Sequence, residues 1–138
     1  MNKLAIVIRN DSYDQLYTPL TFAYTAAQKG IEVNILFVLW AVRVLTKQGA
    51  KTVQMDPRHA SEEAWFKERV CRDGDPLSIY DFIKVVKQSG PVNFYGCRLA
   101  AATFGVEAPQ LIQEASGIAD PLWFLEEKAI KADHCQYF

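Results

Sequence analysis

The chain has 138 residues, of which half are apolar, and its formal net charge is −1 at neutral pH. This length is typical of one domain with a substantial core, so we expect residues 1–138 to form a single domain. Charged residues are spread along the chain without a basic stripe, which argues against nucleic acid as a partner. The first apolar run, Leu4–Ile8, is too short for a signal-peptide core or a membrane span, so we expect a cytoplasmic protein.

The cysteines and histidines do not form a recognisable metal or redox motif. Cys71, Cys97 and Cys135 are widely and unequally spaced, and no C-x-x-C is present, so we expect reduced thiols. His59 stands in a polar segment, whereas His134 is followed directly by Cys135 in a predicted strand. Neighbours in a strand point to opposite faces of the sheet and do not share a metal. We therefore expect no metal site.

The first third of the chain predicts a strand, a helix and a second strand. The continuous apolar runs Leu4–Ile8 and Ile31–Leu39 are typical of strands covered on both faces. Between them, the polar loop Arg9–Ser12 leads into a segment with apolar residues at helical spacing: Leu16, Leu20, Ala23 and Ala27. Three further signals fit this helix: Asp14 as its N-cap, Pro19 near its first turn and Lys29–Gly30 as its C-terminal stop.

The middle of the chain is less regular. We predict a short helix over Trp40–Lys47 and a brief extended segment over Lys51–Met55. The polar stretch Pro57–Asp75 contains a helix start at Ser61. A further helix is predicted to begin at Asp75-Pro76, and its apolar residues follow the i, i+3, i+4, i+7 spacing: Ile79, Phe82, Ile83 and Val86.

The last third predicts three more strands. The first, Val92–Tyr95, is followed after Gly96 by a helix rich in alanine. We then expect a short helix over Pro109–Ala115 and a minimal strand over Gly117–Ala119. The remaining elements are a helix from Asp120-Pro121 to Lys131 and a final strand, His134–Phe138.

Alternating helices and buried strands predict a three-layer α/β fold, with helices on both faces of a mainly parallel sheet and a flavodoxin-like topology. In such sheets, functional sites lie beyond the carboxyl ends of the strands. Three segments are expected at that edge: Arg9–Ser12, Leu39–Trp40 and Cys97–Arg98.

Cys97 is the residue on which we expect any chemistry to depend, because it stands where a strand ends and a helix begins. Unpaired N–H groups and the helix dipole favour the thiolate there, and Arg98 adds positive charge if its side chain turns back. Burial against Phe94 and Tyr95 would oppose ionisation. The alternative is that Cys97 only fills the end of a core strand.

Several cofactor and catalytic motifs are missing. The loop after the first strand, residues 9–18, has no glycine for a flavin phosphate, and neither G-x-G-x-x-G nor a P-loop is present. A receiver-type phosphoacceptor would need an aspartate at the end of the central strand, where Cys97 stands instead. No histidine is predicted beside Cys97 for nucleophilic catalysis. We therefore expect no organic cofactor.

The order of elements resembles the DsrE/DsrF-like (DsrEFH) family of small sulfur-relay proteins over nearly the whole chain. The segments that carry the resemblance are KLAIVIRND, AYTAAQKGIEVNILFVLWAVRVL, VNFYGCRLAAATFGV and FLEEKAIKADHCQYF. The most specific is the cysteine that closes the strand in VNFYGC, where the family has its acceptor cysteine. The resemblance implies a sulfur carrier or sulfurtransferase that holds a persulfide on Cys97, works with a donor or acceptor protein, and assembles as a homo- or hetero-oligomer.

Two features depart from the family pattern. The polar stretch Pro57–Asp75 matches no family motif, so the donor and the acceptor stay open. Some relatives have a second cysteine in the helix after the acceptor, whereas this chain has Ala100, Ala101 and Thr103 there. A mechanism with two nearby thiols is therefore disfavoured.

The predicted binding residues lie beside Cys97 at the carboxyl edge of the sheet: Arg98, Asn10, Asp11, Ser12 and Trp40. The chain also has many large aromatic side chains for its length, Trp40, Trp65 and Trp123 among them, which predicts a homodimer or homotrimer. The competing interpretation is a non-catalytic oligomeric scaffold or small-ligand-binding subunit in which Cys97 is a core residue.

Overall fold

The computed structural model describes residues 1–138 and contains one parallel five-stranded sheet. The strands are β1 (Lys3–Ile8), β2 (Glu32–Phe37), β3 (Val92–Cys97), β4 (Ala115–Ala119) and β5 (His134–Tyr137). Their spatial order is β4-β3-β2-β1-β5, and every neighbouring pair is parallel. This order puts β1 between β2 and β5, whereas the flavodoxin order puts β1 between β2 and β3. The three-layer α/β fold predicted from the sequence is confirmed.

Helices connect the strands. They are α1 (Tyr13–Gln28), α2 (Glu63–Arg72), α3 (Ile79–Ser89), α4 (Arg98–Phe104) and α5 (Pro121–Phe124), the last continued by a π-helical turn over Leu125–Ala129. Short 3₁₀ segments occupy Leu39–Leu45, Gly49–Lys51, Pro57–Glu62 and Ala108–Gln110. None of the helices combines the length and the apolar character needed to cross a bilayer.

The three central strands are buried because their sequences are nearly continuous apolar runs. In the register of the sheet, Ile6 lies opposite Ile35, and Ile35 lies opposite Phe94, all without solvent exposure. The predicted adjacency of Leu4–Ile8, Glu32–Val38 and Val92–Tyr95 is therefore confirmed, although β2 ends one residue earlier than expected.

Helices cover both faces of this sheet. Tyr95 and Gly96 are consecutive in β3, so they face opposite sides. The Tyr95 ring packs on α5, with its centre 5.4 Å from that of Trp123, whereas Gly96 faces Val42 of the segment Leu39–Leu45. The connections from β1 to β2 and from β2 to β3 step in one direction across the sheet, whereas the connection from β4 to β5 returns in the other. Since such crossovers are right-handed, α1 and α3 cover one face and α5 covers the opposite face.

The first helix differs from its prediction at both the cap and the proline. Ser12, not Asp14, is the N-cap residue, because the Asp14 carboxylate instead accepts the N–H of Asp56 at 3.1 Å. Pro19 lies inside α1 rather than near its first turn. The helix continues through it as a buried element, since tertiary packing can offset the loss of one backbone hydrogen bond.

The middle segments also begin elsewhere than predicted. The segment from Pro57 is capped by Asp56, which accepts the Arg58 N–H at 2.9 Å, so Ser61 is not a helix start. Helix α3 begins at Ile79 rather than at Asp75-Pro76, because the Ser78 hydroxyl caps it. The predicted helix Trp40–Lys47 is a 3₁₀ segment that begins one residue earlier, and Lys51–Met55 forms no strand.

The segment Pro109–Ala115 does not form the predicted helix. Only a 3₁₀ turn at Ala108–Gln110 is present, because Leu111 and Ile112 are drawn into contact with the chain near Leu45. The Ile112 N–H donates to the Leu45 carbonyl at 2.8 Å, and Leu111 forms a bridge with Thr46. Long-range pairing has overridden local propensity here.

We predict that Asp56 makes the fold sensitive to strong acid. Arg58 holds the pKa of the Asp56 carboxyl at about 2 by hydrogen bonds from its side chain and its backbone N–H. Because this pKa is lowered in the folded state, the stabilisation is present above the unfolded pKa and is lost as the pH falls from about 4 to about 2. Urea unfolding should show that Asp56→Asn destabilises the protein at neutral pH by more than it does at about pH 2.

A suitable control is Glu68→Gln, which changes an exposed carboxylate without a hydrogen-bonded or ionic partner. A pH-independent difference between wild type and Asp56→Asn would contradict the prediction.

Candidate functional site

The carboxyl ends of the central strands meet at one edge of the sheet. Ile8 lies opposite Phe37, and Phe37 lies opposite Gly96, so the residues that follow them emerge together. The N–H of Val38 donates to the Ile8 carbonyl at 2.8 Å, which extends this alignment by one residue. Cys97 therefore stands at the level of Val38, in the position that the sequence predicted.

Cys97 is both the last residue of β3 and the N-cap of α4. Its backbone has φ −64° and ψ 128°, and it lies opposite Ala119 of β4. A Cβ atom at the preceding Gly96 would come within 3.3 Å of a Val42 methyl group. Glycine thus lets the segment Leu39–Leu45 pack closely on the end of β3, just before the thiol.

The Cys97 side chain is almost completely buried. It is 5% exposed, belongs to the main apolar core and makes no side-chain hydrogen bond. Cys71 is exposed near the end of α2, and Cys135 is half-buried in the edge strand β5. Of the three free thiols, only that of Cys97 lies at the junction of a strand and a helix at the carboxyl edge.

Arg98 does not turn back toward Cys97. Its guanidinium instead forms an ion pair with the carboxylate of Asp120. This pairing, helped by the N–H groups of Leu122 and Trp123, lowers the pKa of Asp120. Arg98 therefore joins the first turns of α4 and α5, which flank the cysteine, rather than supplying charge directly to the sulfur.

Three exposed leucines lie at the same edge of the sheet as the buried thiol. Leu39, Leu99 and Leu122 follow the carboxyl ends of β2, β3 and β4 respectively, and each is more than half exposed. Leu39 has φ +48°, a left-handed conformation that carries a strain of about 1–3 kcal/mol for a residue other than glycine. The carboxyl edge of the sheet near Cys97 thus carries exposed apolar side chains, one of them on a strained backbone.

A groove of about 820 Å³ lies near this edge. Arg43 lines the groove, and its guanidinium lies 3.6 Å from the Asp11 carboxylate. The same guanidinium lies over two aromatic rings, 5.0 Å from the centre of Trp40 and 5.4 Å from that of Phe104. Asp11 and Ser12 line the groove, but Cys97 does not.

The predicted site residues therefore separate into two groups. Arg98 stays with Cys97, although paired to Asp120, whereas Asp11 and Ser12 belong to the groove. Trp40 packs on Phe104, with ring centres 4.9 Å apart, beside the groove. Asn10 is half-buried between β1 and α1, and its side chain makes no hydrogen bond.

Sequence reasoning missed Arg43, Lys47 and the groove itself, because its walls come from segments far apart in the chain. The only local signal was the cluster of amide and hydroxyl side chains between Thr46 and Gln54. No cluster of three or more His, Cys, Asp and Glu side chains has a metal-binding arrangement.

These features define a small parallel α/β protein with a buried cysteine at the carboxyl edge of its sheet. Residues 1–69, half of the chain, match the DsrE/DsrF/DrsH-like family, and the chain belongs to that family. The match covers β1, α1, β2 and the first part of α2, and it ends before Cys97.

A solved structure supports the fold over the whole chain. MTH1491 from Methanobacterium thermoautotrophicum, described as a protein of unknown function, superposes with a TM-score of 0.60 at 7% sequence identity, covering 99% of both chains. At this identity the likeness concerns the fold alone. No curated protein matches the sequence.

Proposed function

We propose that this protein is a cytoplasmic sulfur carrier or sulfurtransferase, which holds a persulfide on Cys97 and passes its sulfane sulfur to a partner thiol. The observation that carries the proposal is the position of Cys97 at the N-cap of α4, at the carboxyl edge of the sheet. Membership in the DsrE/DsrF/DrsH-like family supports a sulfur-relay role at the level of the family. Since the family match stops at residue 69, the role of Cys97 rests on its position and on the sequence resemblance.

The chemistry requires only thiols and sulfane sulfur. The Cys97 thiolate attacks the outer sulfur of a donor, the donor's S–S bond breaks, and the electron pair leaves with the remaining donor fragment. With thiosulfate as donor, the products are the Cys97 persulfide and sulfite. An acceptor thiolate then attacks the outer sulfur and releases the Cys97 thiolate. No oxidant, metal or organic cofactor is needed, because each step exchanges one S–S bond for another.

The residues around Cys97 have distinct proposed roles. The first-turn N–H groups of α4 stabilise the sulfur anion, since they have no partner within the helix. Arg98 holds α4 against α5 through Asp120. Asn10, Asp11, Ser12 and Trp40 are assigned no contact with the sulfur, because Asp11 and Ser12 line the groove and Trp40 packs beside it.

Intact-mass measurement tests the proposal directly. After treatment with thiosulfate or polysulfide, the wild-type protein should gain one sulfur atom, and a thiol reductant should remove it. Sulfide alone is the matched control, because it contains no sulfane sulfur and cannot form a persulfide without an oxidant. A protein that never gains sulfur from these donors or from a loaded partner is not a carrier.

A second candidate function is a non-catalytic oligomeric scaffold or small-ligand-binding subunit. It is favoured by the 5% exposure of Cys97 and by a groove that Cys97 does not line. In that case Cys97 is a core residue, and a small alkylating reagent should label the folded protein at Cys71 but not at Cys97.

We also predict a homo-oligomer, most simply a dimer or a trimer. Trp40, Trp65 and Trp123 are 54%, 55% and 39% exposed in the isolated chain, and such side chains are enriched at interface cores. Light scattering at micromolar concentration should therefore give a mass two or three times that of the chain. Tryptophan emission should shift to longer wavelength when dilution dissociates the assembly. A strict monomer with unchanged emission would contradict the prediction.

A further inference from the structure

One wall of the groove has unpaired backbone groups. The segment Thr52–Asp56 belongs to no helix or strand, and the N–H groups of Val53, Gln54 and Met55 donate no hydrogen bond within the chain. The Gln54 carbonyl accepts the N–H of Tyr13 at 2.7 Å, whereas the carbonyls of Val53 and Met55 accept nothing. All three residues line the groove.

Free backbone groups on alternate residues are also the pattern found along the edge of a sheet. In an extended chain, the N–H and C=O of one residue point to the same side, and those of the next residue point to the other. The Gln54 carbonyl is occupied by the N–H of Tyr13 at the start of α1, so Val53 and Met55 are the residues of this segment with both backbone groups free. The segment is held in place by its side chains, because Met55 is buried in the core and Val53 packs against the same core.

The rest of the groove suits a peptide better than a rigid ring compound. Its floor is apolar, with Val44, Phe104 and Val106, and its rim carries three amide side chains that match the hydrogen bonding of peptide groups: Gln48, Gln54 and Gln110. Free backbone groups beside apolar pockets are the features with which proteins bind an extended peptide along their own backbone.

The charges of the groove indicate the sign of the ligand. Arg43 is paired with Asp11, whereas Lys47 is exposed and has no ionic partner. The backbone N–H of Lys47 donates to the Gln110 carbonyl at 2.9 Å. Because this bond involves only the backbone, the Lys47 side chain can be replaced by one of opposite charge without loss of the bond. One free positive charge therefore remains for a carboxylate.

We propose that this groove binds an extended segment of a partner protein, which pairs with the backbone of Val53 and Met55, places apolar side chains on the floor and sets an acidic residue against Lys47. The inference is independent of persulfide chemistry, because Cys97 does not line the groove. It assigns this chain a peptide-recognition surface in addition to its proposed cysteine site.

A phage-displayed library of random short peptides, selected on the intact protein, tests the proposal. Enriched sequences should alternate apolar and polar residues and contain at least one Asp or Glu. An enriched sequence, synthesised with a fluorescein label, should bind in solution by anisotropy. Hydrogen exchange should show that it slows the amides of Val53 and Met55 by about tenfold or more, since only backbone pairing protects them.

Three variants sharpen the test. Lys47→Glu should lower the affinity for the labelled peptide by about tenfold, because the attraction between Lys47 and the peptide's acidic residue becomes a repulsion. Lys29→Glu makes the same charge change at the end of α1, at the opposite edge of the sheet. Cys97→Ser removes the thiol of the proposed cysteine site. Both of these variants should bind the peptide with the affinity of the wild type. The proposal is overturned if no sequence is enriched, if Lys47→Glu binds equally well, or if the amides of Val53 and Met55 stay unprotected.

Discussion

Replacing Cys97 with serine should abolish sulfur loading and leave the fold nearly unchanged. Serine is close in size to cysteine, and Cys97 makes no side-chain hydrogen bond that the change would break. A serine oxygen cannot form the S–S bond on which transfer depends. After incubation with thiosulfate or polysulfide, intact mass should show one added sulfur on wild type and none on Cys97→Ser.

The other two cysteines provide matched controls in the same chain. Cys71→Ser changes an exposed thiol at the end of α2, and Cys135→Ser changes a half-buried thiol in the edge strand. Both variants should still load sulfur at Cys97, and peptide mapping should find the adduct there. If Cys97→Ser loads as well as wild type, the carrier proposal is wrong and the scaffold function takes its place.

The strands were predictable because burial on both faces gives them a simple sequence signature. Leu4–Ile8 and Glu32–Phe37 are almost uninterrupted apolar runs, and both form central strands. The two polar exceptions are Glu32 and Asn34, both in β2. The buried Asn34 amide donates to the Glu32 carboxylate and accepts a hydrogen bond from the Asn93 amide. Neighbouring polar residues on adjacent strands can therefore be buried within a sheet that otherwise follows the apolar pattern.

Helix starts were less predictable, because several polar residues compete for each cap. Ser78 caps α3, although Asp75-Pro76 is also a good start signal. Asp14 was available as a cap for α1, yet its carboxylate binds the backbone of Asp56, 42 residues further along the chain. Local sequence ranks these candidates by propensity, and only the tertiary contacts decide among them.

In the candidate site too, some features follow from local sequence and others only from tertiary contacts. The position of Cys97 followed from the change of local preference after Gly96, which the sequence shows directly. The pairing of Arg98 with Asp120 did not, because β4 and the start of α5 come beside α4 only through the order of the sheet. The groove depends on the approach of Thr52–Asp56 to the end of α4, which no periodicity records.

The second large effect should be on stability. Phe94 has no solvent exposure in the centre of β3, where it lies opposite Ile35 and packs 6.1 Å from the ring of Phe37. Phe94→Ala should lower the free energy of unfolding by about 3–5 kcal/mol, from lost burial and the cavity left behind. That is a large share of the roughly 5–15 kcal/mol that stabilises a typical domain.

Phe22→Ala is the matched control, because it deletes the same ring from a side chain that is 46% exposed and packs on Phe138. Urea unfolding should show a loss of about 1 kcal/mol or less for this variant. A similar loss for both variants would mean that Phe94 is not a core residue. Phe94 shares its sheet face with Gly96, so the neighbouring Cys97 points to the other face. The folded fraction of Phe94→Ala should therefore still load sulfur, which separates the stability of β3 from the chemistry at its end.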